Sequence, residues 1–199
     1  MPYRKVEFRA GEYYHVYNRG NNFQPIFFER ENYGYFLRQL RKYLPSEAIE
    51  VVCYCLMPNN YHLLVFLKID DLSRIMQAFA LSYTKAINER FGRVGSLFQG
   101  RFKAIHVDRE EYLIHLSRYI HLNPVAAGLV KQPEDWEFSS YREFIGLRKG
   151  TLPKPDIVLA QFAAPETRFL PENGFLGYRK FVDAYVDGDR EVVKHLMLD

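Results

Sequence analysis

Along the chain the spacing of apolar positions changes several times, and each change marks an element. Over residues 12–18, Tyr13, Tyr14, Val16 and Tyr17 read as a strand, ended by the turn-forming run Arg19-Gly20-Asn21-Asn22. Over residues 30–44, Tyr33, Phe36, Leu37, Leu40 and Leu44 recur at helical steps, and Pro45 stops the helix they predict. Residues 49–56 are rich in Ile, Val, Tyr and Cys and read as a buried strand. Met57-Pro58-Asn59 breaks it, and residues 60–67 form a second strand, so the two are expected to pair as a hairpin. A longer stripe, Leu72, Ile75, Met76, Phe79, Tyr83 and Ile87, predicts a helix capped by Asp70 or Asp71 and closed at Gly92. Residues 98–107 read as a strand interrupted at Gly100. Asp108 is then expected to cap a helix through Leu113, Leu116 and Ile120, ended by Pro124.

The resulting order is the βαββαβ of a ferredoxin-like α+β core, an antiparallel sheet with its helices on one side. Residues 125–199 read as mainly helical, with turns at Pro133, at Pro153-Lys154-Pro155 and at Pro171-Glu172-Asn173-Gly174. Phe175, Tyr178, Phe181, Val182 and Tyr185 make an amphipathic helix that docks on the core. The expected organisation is one domain over residues 1–146, with 147–199 a helical C-terminal extension packed on it.

Composition narrows the class. About half of the 199 residues are apolar, with 15 Tyr and 16 Phe, as in a globular chain. No apolar run is long enough to span a bilayer, and Met1-Pro2-Tyr3-Arg4-Lys5 leads into charged residues, not into the apolar stretch of a secretory signal. Cys53 and Cys55, the two cysteines, lie two apart on one side of a strand, a poor spacing for a disulfide and one that suits reduced, buried thiols. Residues 1–150 hold 21 basic against 16 acidic residues, a balance of +5, and residues 151–199 hold 6 against 8, a balance of −2. Arg90, Arg93, Arg101 and Lys103 fall in a stretch without acids, which suits a phosphate backbone and equally a solvated loop.

Two sets of residues could carry chemistry. Asn60 and His62 alternate along a strand and so share a face. An imidazole with an amide oxygen can ligate Mg²⁺ or Mn²⁺; a buried His bonded to a carbonyl, beside a turn Asn, would look the same. Tyr112, Tyr119 and Asn123 share one helix face. Tyr119 could sit at the edge of the core with its hydroxyl towards an opening and Asn123 one turn on, or the pair could be a half-buried aromatic and a helix cap.

These stretches resemble a known pattern. Met57-Pro58-Asn59-Asn60-Tyr61-His62-Leu63-Leu64 is similar to the MPNHxHLL motif of the single-tyrosine HUH transposases, the IS200-like family. Tyr119-Ile120-His121-Leu122-Asn123-Pro124-Val125 resembles the YIxxNPV motif of their REP-associated tyrosine transposase branch. Tyr14-His15-Val16-Tyr17-Asn18-Arg19-Gly20-Asn21 is similar to the YHVxxRGN that opens such proteins. Leu97-Phe98-Gln99-Gly100-Arg101-Phe102-Lys103-Ala104 and Trp136-Glu137-Phe138-Ser139-Ser140-Tyr141 also look like family segments, in order, so that the resemblance spans roughly residues 11–146.

The resemblance implies a bacterial, cytoplasmic, nucleoid-associated protein, monomer or homodimer. It would bind single-stranded DNA hairpins, the REP-like palindromes, and cut and rejoin the strand beside them. Tyr119 takes the position of the nucleophile and His62 that of the second metal-binding histidine. Asn123 takes that of a third polar ligand, around Mg²⁺ or Mn²⁺. Arg19, Arg90, Arg93, Arg101 and Lys103 are the expected DNA contacts. Asn60 stands where the family has its first histidine, and there the chain departs from the pattern: an amide oxygen would hold the metal more weakly. A DNA-binding descendant with a silent site is the alternative. An RNA-binding module on a similar sheet is a third reading, though no aromatic RNP-type strand is seen.

Overall fold

The protein is described here by a computed structural model covering residues 6–163, 171–185 and 190–196; the basic N-terminal residues 1–5 lie outside the described part. Strand β1 (Tyr13–Arg19) leads to helix α1 (Arg30–Tyr43). Strands β2 (Ile49–Met57) and β3 (Asn60–Leu67) form the hairpin, and α2 (Leu72–Arg90) precedes β4 (Lys103–Val107) and α3 (Glu110–Ala126). The three strand pairings are antiparallel and the sheet order is β2-β3-β1-β4, the ferredoxin-like arrangement. Short helices α4 (Tyr141–Phe144), α5 (Asp156–Leu159), α6 (Pro171–Asp183) and α7 (Arg190–Val193) follow.

Both faces of the sheet are buried. On one, Tyr33, Phe36 and Leu40 of α1 and Leu72, Met76, Phe79, Tyr83 and Ile87 of α2 pack on Val16, Tyr61, Leu63 and Val65. Helix α1 starts with a capping box between Glu29 and Asn32. The Tyr83 hydroxyl donates to the Ile26 carbonyl at 2.8 Å, which fixes this tyrosine in the core. On the other face Leu113, Leu116 and Ile120 of α3 pack with Cys53, Cys55, Leu64, Tyr141, Phe144, Val158, Tyr178, Val182 and Val193. The outer edge of β2 is covered as well: Lys154 N donates to the Val51 carbonyl and Leu56 N to the Phe138 carbonyl.

Five expectations need correction. The ladder of β4 begins only at Lys103, because Gly100 at φ +77° breaks the run that starts at Phe98. Asp108 does not cap α3; the capping position is Arg109, without a side-chain bond. Pro124 lies inside α3, which runs to Ala126. Pro153 pairs with Val51 as an extended bridge instead of turning. The stretch expected to turn at residues 171–174 begins α6, with Pro171 at its first position, where a missing N–H costs nothing.

Helix α3 is fastened from behind by a buried polar network. His121 Nδ1 lies 2.7 Å from Tyr178 Oη and Nε2 lies 2.9 Å from Ser140 Oγ. Tyr178 Oη donates to Ser117 Oγ at 3.1 Å, and Ser140 Oγ accepts from Tyr54 N at 2.9 Å. Burial lowers the pKa of His121 from 6.5 to about 3. The unfolded chain therefore takes up a proton at His121 near pH 6.5 that the folded chain refuses until about pH 3. The stabilisation is complete above that window and is lost as pH falls through it. We expect the urea midpoint to drop between pH 7 and pH 4. In His121→Gln the drop should be shallower, on a protein less stable at pH 7 by roughly 1–3 kcal/mol.

Candidate active site

Strand alternation sorts the polar residues. Tyr61, Leu63, Val65 and Leu67 of β3 enter the core beneath α1 and α2, so Asn60, His62, Leu64 and Phe66 face α3. Register then builds two rows across that face. Lys103, Tyr17, His62 and Cys55 lie opposite one another in one row; Arg19, Asn60 and Met57 make the next.

From the neighbouring row, opposite Leu64 and Ile105, His15 reaches His62 directly. His15 Nε2 lies 3.0 Å from His62 Nδ1, so one ring donates its N–H to the lone pair of the other. Both are fully buried. Burial, and after it the neighbouring His15, holds the His62 pKa well below its usual value, so the ring is neutral. Tyr17 stacks on His62 with ring centroids 5.9 Å apart. The half-buried Tyr119 comes down from α3 edge-on to both imidazoles, 5.9 Å from His62 and 6.4 Å from His15 between centroids. The face shared along α3 thus brings Tyr119 to His62. His15 is the residue that motif reading passed over. Its signal was a histidine alternating with Tyr13 and Tyr17 in an otherwise apolar strand.

Asn60 Nδ2 donates to Asn59 Oδ1 at 2.8 Å, whereas its Oδ1 is buried and accepts no hydrogen bond. Asn123 Nδ2 donates to the Tyr119 carbonyl at 2.9 Å and lies 3.5 Å from the Ile120 carbonyl, which Pro124 deprives of its helical donor. The donor end of that amide is thus spent on the helix, and its oxygen is the end left for a ligand. Among the described residues no three His, Cys, Asp or Glu side chains gather into a metal-binding group. A cation here would rest on one imidazole and amide oxygens, and the orphaned Asn60 oxygen fits such a ligand. Cys53 and Cys55 share the α3 face as free, buried thiols whose pKa burial raises.

The basic residues do not form one patch. Arg19 and Lys103 stand on the face of His62. Arg90 is paired with Glu29, Arg93 lies over the Phe28 ring, and Arg101 lines a groove with Met76, Leu81 and Phe102 beside α2. Tyr112, on the face of Tyr119, packs edge-on to His195.

The family model for IS200-like transposases matches residues 10–123, more than half of the chain, and the chain belongs to that family. It is similar to a REP-associated tyrosine transposase solved bound to a REP hairpin, with TM-score 0.62 and 20% identity over 77% of this chain and 97% of that one. A bacterial tRNA(His) guanylyltransferase-like protein in complex with GTP matches with TM-score 0.38 and 12% identity, over 61% of this chain and 68% of that one, too weakly to bear on the fold. No curated protein matches. No helix among the described residues is long and apolar enough to cross a membrane.

The loop after β1 is held to the turn that precedes Asn60. Gly20 N donates to the Asn59 carbonyl at 2.7 Å and Asn59 Nδ2 donates to the Phe23 carbonyl at 3.3 Å, tying the loop to the β2–β3 turn. A Cβ on Gly20 would sit 1.9 Å from the Gln24 carbonyl oxygen, so only glycine fits. We expect Gly20→Ala to lower stability by roughly 1–3 kcal/mol, read from urea unfolding. An unchanged midpoint would show that the loop is not held as described.

Proposed function

We propose that the protein binds hairpin-containing single-stranded DNA and cuts and rejoins it through Tyr119. The observation that carries this reading is the convergence of Tyr119 on the buried His15–His62 pair, in a chain of the IS200-like family. The likeness to a REP-associated transposase bound to a REP hairpin supports REP-like palindromes as the target. The phenolic oxygen of Tyr119 forms a bond to the phosphorus and the strand's 3′-oxygen leaves. The phenol's proton is balanced by the one the 3′-hydroxyl gains. The 5′-phosphotyrosine keeps the bond energy, so rejoining is the reverse displacement and needs no nucleotide triphosphate.

His62 with the oxygens of Asn60 and Asn123 would hold Mg²⁺ or Mn²⁺. When bound, the cation supplies charge stabilisation on the phosphoryl oxygens. The protein's own contribution is positional. His15 fixes the ring of His62, Pro124 and Asn123 shape the end of α3 next to Tyr119, and Arg19 and Lys103 offer phosphate contacts on the same face. Arg90, Arg93 and Arg101 would serve DNA only away from this face. Asn60 favours a second reading, a binding protein whose cutting is impaired.

Incubation with a flanked hairpin and Mn²⁺, followed by a denaturing gel, tests the first reading. A covalent adduct is expected, absent in Tyr119→Phe, which keeps the ring and its packing. Tyr83→Phe and Tyr112→Phe should retain it. An adduct mapped to another tyrosine would overturn the assignment of Tyr119. Binding should weaken steeply with salt, and a flanked hairpin should outcompete a duplex of equal length.

The metal reading has its own test. Asn60→His is expected to tighten Mn²⁺ binding and raise adduct yield at least tenfold, while His62→Ala removes Mn²⁺ binding in calorimetry. If Asn60→His binds Mn²⁺ no better than the natural chain, the ligand set is wrong.

A further inference from the structure

Phe23 is the most exposed aromatic ring among the described residues, 60% accessible, and it sits on backbone that phenylalanine rarely adopts. Its φ is +57° and that of Asn22 is +51°; no other described non-glycine residue has a positive φ. Left-handed backbone is costly for a residue with a Cβ and persists only where neighbours impose it. They do so here. Phe23 N donates to the Gly20 carbonyl and Gln24 N to the Asn21 carbonyl, both at 3.1 Å. Asn59 Nδ2 holds the Phe23 carbonyl from the turn that carries Asn60. The fold thus holds a largely exposed apolar ring on strained backbone.

The ring is not idle. The Arg19 guanidinium lies over it, 4.3 Å from the centroid, and Arg19 Nε donates to Gln99 Oε1. Arg19 stands opposite Asn60, one row beyond Tyr17 and His62 on the same face of the sheet. A flat cation and a flat apolar ring are therefore locked together beside the histidine pair. With one side of the ring against Arg19, its remaining exposure offers a surface for another flat, hydrophobic group next to a positive charge.

We propose that Phe23 is a stacking platform for one unpaired nucleobase of the single strand that flanks the hairpin, with Arg19 as the contact to that nucleotide's phosphate. The inference rests on the single-stranded DNA reading above. Unstacked bases are recognised in this way on aromatic and guanidinium planes, without regard to which base is present. A protein partner is disfavoured, since the ring is a single apolar group between Asn22 and Gln24, both exposed, and not part of a wide patch.

The test uses a REP-like hairpin with a single-stranded flank carrying 2-aminopurine at one flank position at a time, and the same hairpin with no flank. The full chain should quench one flank position. Phe23→Ala should lose that quenching and bind the flanked hairpin about tenfold or more weakly, while the blunt hairpin binds both proteins alike. Phe23→Trp should restore both. Phe23→Gly should lose the affinity too, yet unfold at an equal or higher urea concentration, because the strain is relieved; a ring needed only for the fold would give the opposite. Equal affinity and quenching in Phe23→Ala would overturn the inference and leave the function standing. If the unaltered chain binds neither oligonucleotide, the functional reading fails and the platform with it.

Discussion

In the register of β1 against β3, Tyr17 lies opposite His62 and Arg19 opposite Asn60. Strand side chains alternate with a period of two, so a slip by one residue would turn His15 and His62 into the core beneath α1 and α2. Apolar burial on both sides of the sheet forbids that slip, because Val16, Tyr61, Leu63 and Val65 would have to leave the α1/α2 core and face α3 and its buried polar groups. The same pairing carries the loop after Arg19 onto the β2–β3 turn through Gly20 and Asn59. Histidine pair, amide and loop are thus set by one ladder, and α3 need only arrive above it.

Two imidazoles in a buried site would each be costly alone. Facing one another at 3.0 Å, one provides the donor and the other the acceptor, so the cost is largely offset. The arrangement also rules out both rings carrying a charge, since a protonated ring has no lone pair with which to accept, and burial and the neighbouring His15 act against protonation of His62. Asn60 is the exception to this economy of partners. Its nitrogen is satisfied and its buried oxygen is not, so that its surroundings are incomplete without a ligand or water.

The elements with a clean period were legible from composition and spacing. The stripe from Leu72 to Ile87 and the hairpin around Pro58 appear where the pattern placed them. The misses have local causes. Pro124 stays inside α3, where its neighbour Asn123 turns its amide back onto the Tyr119 carbonyl and towards the Ile120 carbonyl that the proline leaves without a donor, an arrangement invisible in a periodicity. Residues 98–102 look like a strand because Phe98 and Phe102 are apolar, yet both serve the α1/α2 core from an irregular segment. In the candidate site, His62 and Tyr119 could be named from their motifs. His15 could not be assigned a role, because its partner lies 47 residues away and only the register reveals it. The basic run divides in space: Arg90 points to Glu29 and Arg93 to Phe28, since linear proximity says nothing of the direction in which long side chains leave a helix end.

The fastening of α3 by His121 bears on the order in which a growing chain can become competent. A ribosome that has released residues as far as Leu159 has supplied the whole sheet, both histidines and Tyr119. It has not yet supplied Tyr178, Val182 or Val193, against which the far side of α3 is seated. Until those residues emerge, the helix bearing Tyr119 has an uncovered apolar flank and His121 lacks one of its two partners. The tyrosine is then held over the imidazoles only loosely. Synthesis itself therefore imposes a delay: the scaffold can form early, and the placing of Tyr119 over the histidines closes last.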